Sequence, residues 1–156
     1  LRVDPPFRTQ RDRDAIRAAL ADGTIDAICS DHTPVDDEAK QLPFAEAEAG
    51  VTGLELLLPL TLKWAAESGT GLLTALGKLT VGAAAVLGSK QAQARIEAGA
   101  PADLCVFDPA EHWTVTRESL LSQGKHTPYL GLELLGRTRY TVVDGRVAFE
   151  RSTPIR

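Results

Sequence analysis

Thr24-Ile25-Asp26-Ala27-Ile28-Cys29-Ser30-Asp31-His32-Thr33-Pro34 is the stretch on which the reading of this chain turns. The residues from Thr24 to Cys29 are mostly small, apolar or β-branched and follow a turn at Gly23, so they read as a buried strand. An acid and then an imidazole stand where that strand ends. In a parallel barrel the C-terminal ends of the strands carry the chemistry. A carboxylate desolvated there needs a metal or a cation beside it. The plainer alternative is an ordinary turn in which Asp31 caps whatever follows, and the local sequence leaves both open.

Outward from this stretch the punctuation is clear. Residues 1–9 read as an extended, proline-stiffened segment. Thr9 with Asp12 offers an N-cap, and Ile16, Ala19 and Leu20 give one apolar face to a helix ending near Gly23. Residues 31–51 form a long acidic loop carrying Asp36, Asp37, Glu38, Glu46 and Glu48, of a length more often functional than incidental, with disorder as the competing explanation. Thr52-Gly53-Leu54-Glu55 matches a capping box, and Leu54, Leu57, Leu58, Thr61 and Leu62 repeat at helical spacing behind it. Pro59 should kink that helix or split off its first turn. Two shorter helices fit 71–77 and 81–87, with Thr70 and Thr80 as caps and Gly88 as the stop. The composition changes near Ser89, and strand-like segments then fit 103–107, 112–116, 137–143 and 146–150.

The chain has 156 residues, enough for a core but short of the about 250 that a whole (β/α)8 barrel needs. It contains no methionine and opens inside a motif, so it is expected to be the C-terminal piece of a longer protein. The net charge is −4, and no Lys/Arg cluster or aromatic-basic strip invites nucleic acid. Charges break every apolar run well short of a bilayer span, and no signal-peptide pattern opens the chain; a cytoplasmic protein is expected. Cys29 and Cys105, each inside a predicted strand, read as small buried thiols in a reducing compartment. Cys-x-x-Cys, Gly-x-Gly-x-x-Gly and P-loop patterns are absent from the sequence.

Val3-Asp4-Pro5-Pro6-Phe7-Arg8, then Ser30-Asp31-His32-Thr33-Pro34, Lys40-Gln41-Leu42-Pro43-Phe44 and Gly53-Leu54-Glu55-Leu56-Leu57-Leu58-Pro59-Leu60 follow in an order that resembles the C-terminal half of a dihydroorotase, one of the metal-dependent amidohydrolases. Gly99-Ala100-Pro101-Ala102-Asp103-Leu104-Cys105-Val106-Phe107-Asp108 and Thr141-Val142-Val143-Asp144-Gly145-Arg146 are similar to the closing β-segments of that superfamily. The resemblance implies an α/β chain: residues 1–88 as the C-terminal part of a (β/α)8 barrel, and 89–156 as part of a small β-sandwich. It also implies that an incomplete barrel leaves apolar surface exposed or covered by another chain.

The resemblance further makes Asp31 the catalytic carboxylate and a metal ligand, placed to move a proton while zinc activates water. The family's other ligands are a His-x-His pair, further histidines and often a modified lysine, all on earlier strands. The three histidines here, His32, His112 and His126, do not supply them. Zinc is therefore expected in the longer protein if it is catalytic, and none in this chain alone. Two positions of family substrate contacts are substituted. Asp4 stands where an Asn usually holds the substrate carboxylate; an ionised Asp would repel that group by roughly 4 kcal/mol at ~4 Å and an effective dielectric near 20. Val35 stands where a second His usually contacts substrate, and such a lost bond to a charged group costs about 1.5–3 kcal/mol.

The implied function is a part of a cyclic amidohydrolase of pyrimidine biosynthesis, interconverting carbamoyl-aspartate and dihydroorotate, inactive as this chain alone. The alternative is a non-catalytic dihydroorotase-like scaffold subunit of an aspartate carbamoyltransferase complex. A third reading is an unrelated α/β binding domain that shares a few turns. The expected partners are the N-terminal part of the same protein and, for the scaffold, aspartate carbamoyltransferase; an oligomer is expected, with no nucleic acid and no membrane.

Overall fold

Strong local signals at both ends make the first helix, α1 (Gln10–Asp22). Thr9 is its N-cap: the Asp12 amide donates to the Thr9 hydroxyl, and the Asp12 carboxylate accepts from the Thr9 amide at 3.0 Å and hydroxyl at 2.6 Å. These bonds hold the Asp12 carboxyl below its ordinary pKa. Gly23 closes the helix in the left-handed conformation at φ 88, the region that a residue without Cβ enters at no steric cost. In the computed structural model, residues 1–88 and 96–151 are described. The composition boundary at Ser89 falls outside them.

The loop 31–51 is not unstructured: Asp37–Gln41 forms a short helix, α2. The expected capping box at Thr52 is absent, because both of its side chains are used elsewhere. Thr52 is buried and donates its hydroxyl to the Gly124 carbonyl, while Glu55 accepts the amides of Leu121 and Ser122. Pro59 does split off the first turn, giving a 3-10 turn at Leu54–Leu56 before α3 (Leu57–Ser68). Helices α4 (Leu72–Leu79) and α5 (Val81–Val86) follow. Thr70 and Thr80 do not cap them by side chain: Gly71 stands at the start of α4, and the Thr80 hydroxyl donates back to the Leu76 carbonyl at 2.8 Å.

The C-terminal elements form one antiparallel sheet in the order β1 (Leu104–Thr114), β2 (Glu133–Val143), β3 (Arg146–Glu150). Two segments read as separate strands, 103–107 and 112–116, are one strand. Pro109, which cannot donate to a ladder, is accommodated where the β1–β2 register shifts between Asp108 and His112. Asp144 and Gly145, both at positive φ, turn β2 into β3.

Helix α3 belongs to two cores. Trp64 and Ala65 pack with Leu20 of α1 and Ala75 of α4, joined by Ile25 and Ile28. The 3-10 turn before α3 brings Leu56, fully buried, against Val115, Leu120 and Leu134, and Leu60 on α3 itself packs against that cluster. Gly136 on β2 sits so close to α3 that a Cβ there would lie 2.3 Å from Leu62 Cδ1. On the far side, α4 and α5 leave Leu73 (84 %) and Leu87 (81 %) exposed, with Leu72, Val81 and Val86 beside them.

Two further expectations are corrected. Residues 24–30 do not form a strand: the chain bends at Thr24 and Ile25 and carries no regular structure from 26 to 30. A strand needs a ladder neighbour, and none lies alongside among the described residues; instead Ile25 donates to the Ala19 carbonyl at 3.0 Å and Ile28 to the Lys78 carbonyl at 3.1 Å. Cys29 and Cys105 are free and exposed rather than buried, since the faces they occupy are not covered by the described residues.

Candidate functional site

The segment leads to one residue of unusual backbone, about which the chain changes direction into the acidic loop. Asp31 adopts a left-handed backbone at φ 45, a conformation that Asp tolerates better than most residues. Its side chain is exposed, and its carboxylate has no partner among the described residues. The turn is fixed from behind. His32 Nδ1 accepts the amides of Gly53 at 3.1 Å and Leu54 at 3.2 Å, so the imidazole caps the 3-10 turn in the place expected of Thr52. A nitrogen that accepts two amides carries no proton, which leaves Nε2 as the N–H. Thr33 donates its amide to the Val51 carbonyl at 3.0 Å, tying the next residue to the end of the acidic loop.

The other two positions separate. Asp4 is exposed, next to a cis peptide bond to Pro5, and its segment joins the same loop: Gly50 donates its amide to the Arg2 carbonyl at 3.2 Å. Gly50 in turn lies against Thr33, where a Cβ would be 2.6 Å from the Thr33 carbonyl oxygen. Residues 2, 50 and 33 therefore form a continuous seam from the Asp4 segment to the Asp31 turn. Val35 points elsewhere. It is 6 % exposed, and its backbone packs on Gly124, where a Cβ would meet Val35 N at 2.9 Å. Val35 is thus an apolar side chain used for packing.

Two groups of polar contacts hold the acidic loop. The Asp37 carboxylate pairs with Arg117 and lies 3.0 Å from His126 Nε2, linking α2 to the segment before β2. Arg2 and Lys40 bind loop and chain start through backbone carbonyls. Neither these two cations nor the capping role of His32 was legible in the sequence. The Glu55 carboxylate had a signal, a Glu in a helix start, but it pointed to the wrong donors.

Asp31 alone does not make a metal centre. Among the described residues no three His, Cys, Asp or Glu side chains converge as a metal shell, whereas a catalytic zinc takes three protein ligands and an open position. These residues would contribute one ligand to a shell completed elsewhere. His112 lies on β1, and the His126 imidazole pairs with Asp37 while its carbonyl accepts the Thr52 amide at 2.7 Å.

The class of this mixed α/β chain follows from its likeness to known proteins. The amidohydrolase family pattern matches residues 2–149, and the chain belongs to that family. Among its relatives, a protein named dihydroorotase from Geotalea daltonii is 41% identical over 150 residues, covering 96% of this chain and 35% of that protein. A protein named dihydroorotase-like from Pseudomonas aeruginosa is 42% identical over 148 residues, 95% of this chain and 34% of that one. The fold is similar to that of a D-hydantoinase (dihydropyrimidinase) from Thermus sp., with TM-score 0.84 and 27% identity over 96% of this chain and 33% of that one. It is also similar to an L-hydantoinase (dihydropyrimidinase) from Arthrobacter aurescens, with TM-score 0.82, 27% identity and 97% and 35% coverage. The chain thus spans about a third of the length of the relatives it matches. No helix among the described residues is long and apolar enough to cross a membrane.

Proposed function

We propose that this chain is the C-terminal portion of a dihydroorotase-type cyclic amidohydrolase, with residues 1–88 completing a barrel and 89–156 contributing to a small β-sandwich. Asp31 is its catalytic carboxylate. The observation that carries this reading is the Asp31 turn: an exposed, unpartnered carboxylate in a left-handed backbone, anchored by His32 and Thr33 so that it stays presented. In ring opening, water adds to the amide carbonyl carbon and Asp31 takes its proton. The carbon–nitrogen bond then breaks, and the same proton passes to the leaving nitrogen. In ring closure the steps run in reverse. Zinc, supplied mainly by residues outside this chain, would activate the water and polarise the carbonyl. The substrate pair is carbamoyl-aspartate and dihydroorotate, which places the protein in cytoplasmic pyrimidine biosynthesis.

A second reading is favoured by Val35 and Asp4. A buried valine and a carboxylate at two substrate-contact positions suit a non-catalytic dihydroorotase-like subunit that holds aspartate carbamoyltransferase in a complex. Asp31→Ala in the whole protein separates the two. On the catalytic reading, dihydroorotate hydrolysis falls by about a hundredfold or more while the fold persists. Survival of activity in that variant refutes the role of Asp31. A wild-type protein without turnover, yet required for carbamoyltransferase assembly, establishes the scaffold. The isolated 156 residues are expected to retain no zinc and to show no turnover; about one zinc per chain together with hydrolysis would overturn this.

A further inference from the structure

Two cations in this chain are neutralised almost wholly by peptide carbonyls. Arg2 Nη1 donates to the carbonyl oxygens of Ala45 and Ala47, both at 2.8 Å, and to that of Phe44 at 3.5 Å. Lys40 Nζ, reaching back from α2, donates to the Arg2 carbonyl at 3.1 Å and to the Glu48 carbonyl. The Gly50 amide reaches the same Arg2 carbonyl, and the Glu48 amide returns to Ala39 at 3.2 Å. Neither cation forms a side-chain ion pair among the described residues. Burial, opposed by the Glu48 carboxylate and aided by the Arg2 charge, holds the Lys40 pKa below its usual value. Side chains that only decorated a surface would face solvent or a carboxylate. Here five loop and chain-start carbonyls, those of residues 2, 44, 45, 47 and 48, are collected onto two charges.

We infer that Arg2 and Lys40 are positioning residues that clamp the segment bearing Asp4 onto the loop behind the Asp31 turn, and so set the substrate-binding side of the site. The inference rests on the reading that Asp4 and Asp31 face one substrate. The two sides meet along the loop, where Thr33 donates to the Val51 carbonyl, but each also has an anchor of its own. The Asp31 turn is held by His32 on the amides of Gly53 and Leu54, which the clamp does not touch. The Asp4 segment is held by Arg2, Lys40 and the Gly50 amide. Gly50 is the joint between them, because only a residue without Cβ fits against the Thr33 carbonyl at that distance and at φ 135. Loosening the clamp therefore moves the Asp4 segment first, while His32 keeps the Asp31 turn on the Gly53 and Leu54 amides.

Lys40→Met keeps most of the apolar stem and removes the donor; Arg2→Lys keeps charge and loses the forked reach. Both are tested in the whole protein by amide exchange and by steady-state kinetics with dihydroorotate. Exchange in the peptide spanning 44–52 should speed up by about tenfold or more, with the β1–β2 peptides unchanged, as expected of a local opening. KM should rise by about tenfold with kcat held within about twofold. A kcat loss at constant KM, or unaltered exchange at 44–52, overturns the inference, as does faster exchange everywhere. If the wild-type protein does not turn over dihydroorotate, the catalytic reading fails, and the exchange measurement still decides whether the clamp exists.

Discussion

Gly82 and Gly77 should respond to the same substitution with opposite signs. Both lie in helices, and replacing a helical glycine by alanine favours the helix by about 0.5–1 kcal/mol. At Gly77 nothing opposes that gain: the new Cβ would meet only Val81 Cγ2, at an ordinary 3.8 Å. At Gly82 it would lie 2.2 Å from the Asp26 carbonyl oxygen, 3.3 Å from the Asp26 carbonyl carbon and 3.0 Å from the Gly77 carbonyl oxygen. These are backbone atoms and cannot swing aside as a side-chain terminus would. Overpacking of this kind costs about 1–3 kcal/mol, and more when backbone must shift. The clash exceeds the helical gain, so Gly82→Ala should destabilise by about 1–2 kcal/mol net, whereas Gly77→Ala stabilises by up to about 1 kcal/mol. For a chain of this size each kcal/mol moves the melting temperature by about 2–4 °C. Urea denaturation of the two variants beside wild type measures both signs. If Gly82→Ala is as stable as Gly77→Ala, α5 does not ride against the 24–30 segment and the packing behind the Asp31 turn is wrong.

Three further perturbations test the frame. Lys63 first, and Arg17 after it, hold the Glu67 carboxyl down to about 2 from 4.5. A depressed carboxylate stabilises the fold above its unfolded pKa and loses that contribution as the pH falls from 4.5 towards 2. The stability difference between wild type and Glu67→Gln should be flat at neutral pH and vanish across that window, staying under about 1 kcal/mol because the pair is solvent-exposed. Glu55→Ala strips the acceptor from the amides of Leu121 and Ser122 and should cost about 1.5–3 kcal/mol by chemical denaturation; no loss would show that water replaces it freely. Leu56→Ala opens a cavity between the 3-10 turn and the sheet and should cost about 2–5 kcal/mol at an unchanged denaturant slope.

What the sequence disclosed was local. Thr9, Asp12 and Gly23 bracket α1 within a few residues, and Asp144-Gly145 makes the hairpin by backbone conformation alone. Pro59 acts on its own helix and was read for what it does. The misreadings share a different physics. Thr52 and Glu55 have the right spacing for a cap, yet their partners lie at Gly124, Leu121 and Ser122, far along the chain. Segments 103–107 and 112–116 read as two strands because the irregularity that joins them is set by the opposing strand. Residues 24–30 have strand composition but no ladder neighbour to make them a strand, and Cys29 and Cys105 lack the cover that strand reading assumed. Within the site, Asp31 stood out as an acid after an apolar run. His32, Arg2 and Lys40 act through backbone amides and carbonyls of other segments, which residue type and spacing do not encode.

Because α3 contributes to both apolar clusters, neither can be lost alone. Unfolding the sheet would strip Leu60 of its neighbours and loosen the helix that also holds Trp64 against Leu20, so disruption at one end propagates to the other. The two compositionally distinct halves should melt in one transition, as a single cooperative unit. Natural variation on α3 is then constrained twice over: a change that improves contact with the sheet is tolerated only if it also suits the helices that carry the Asp31 turn.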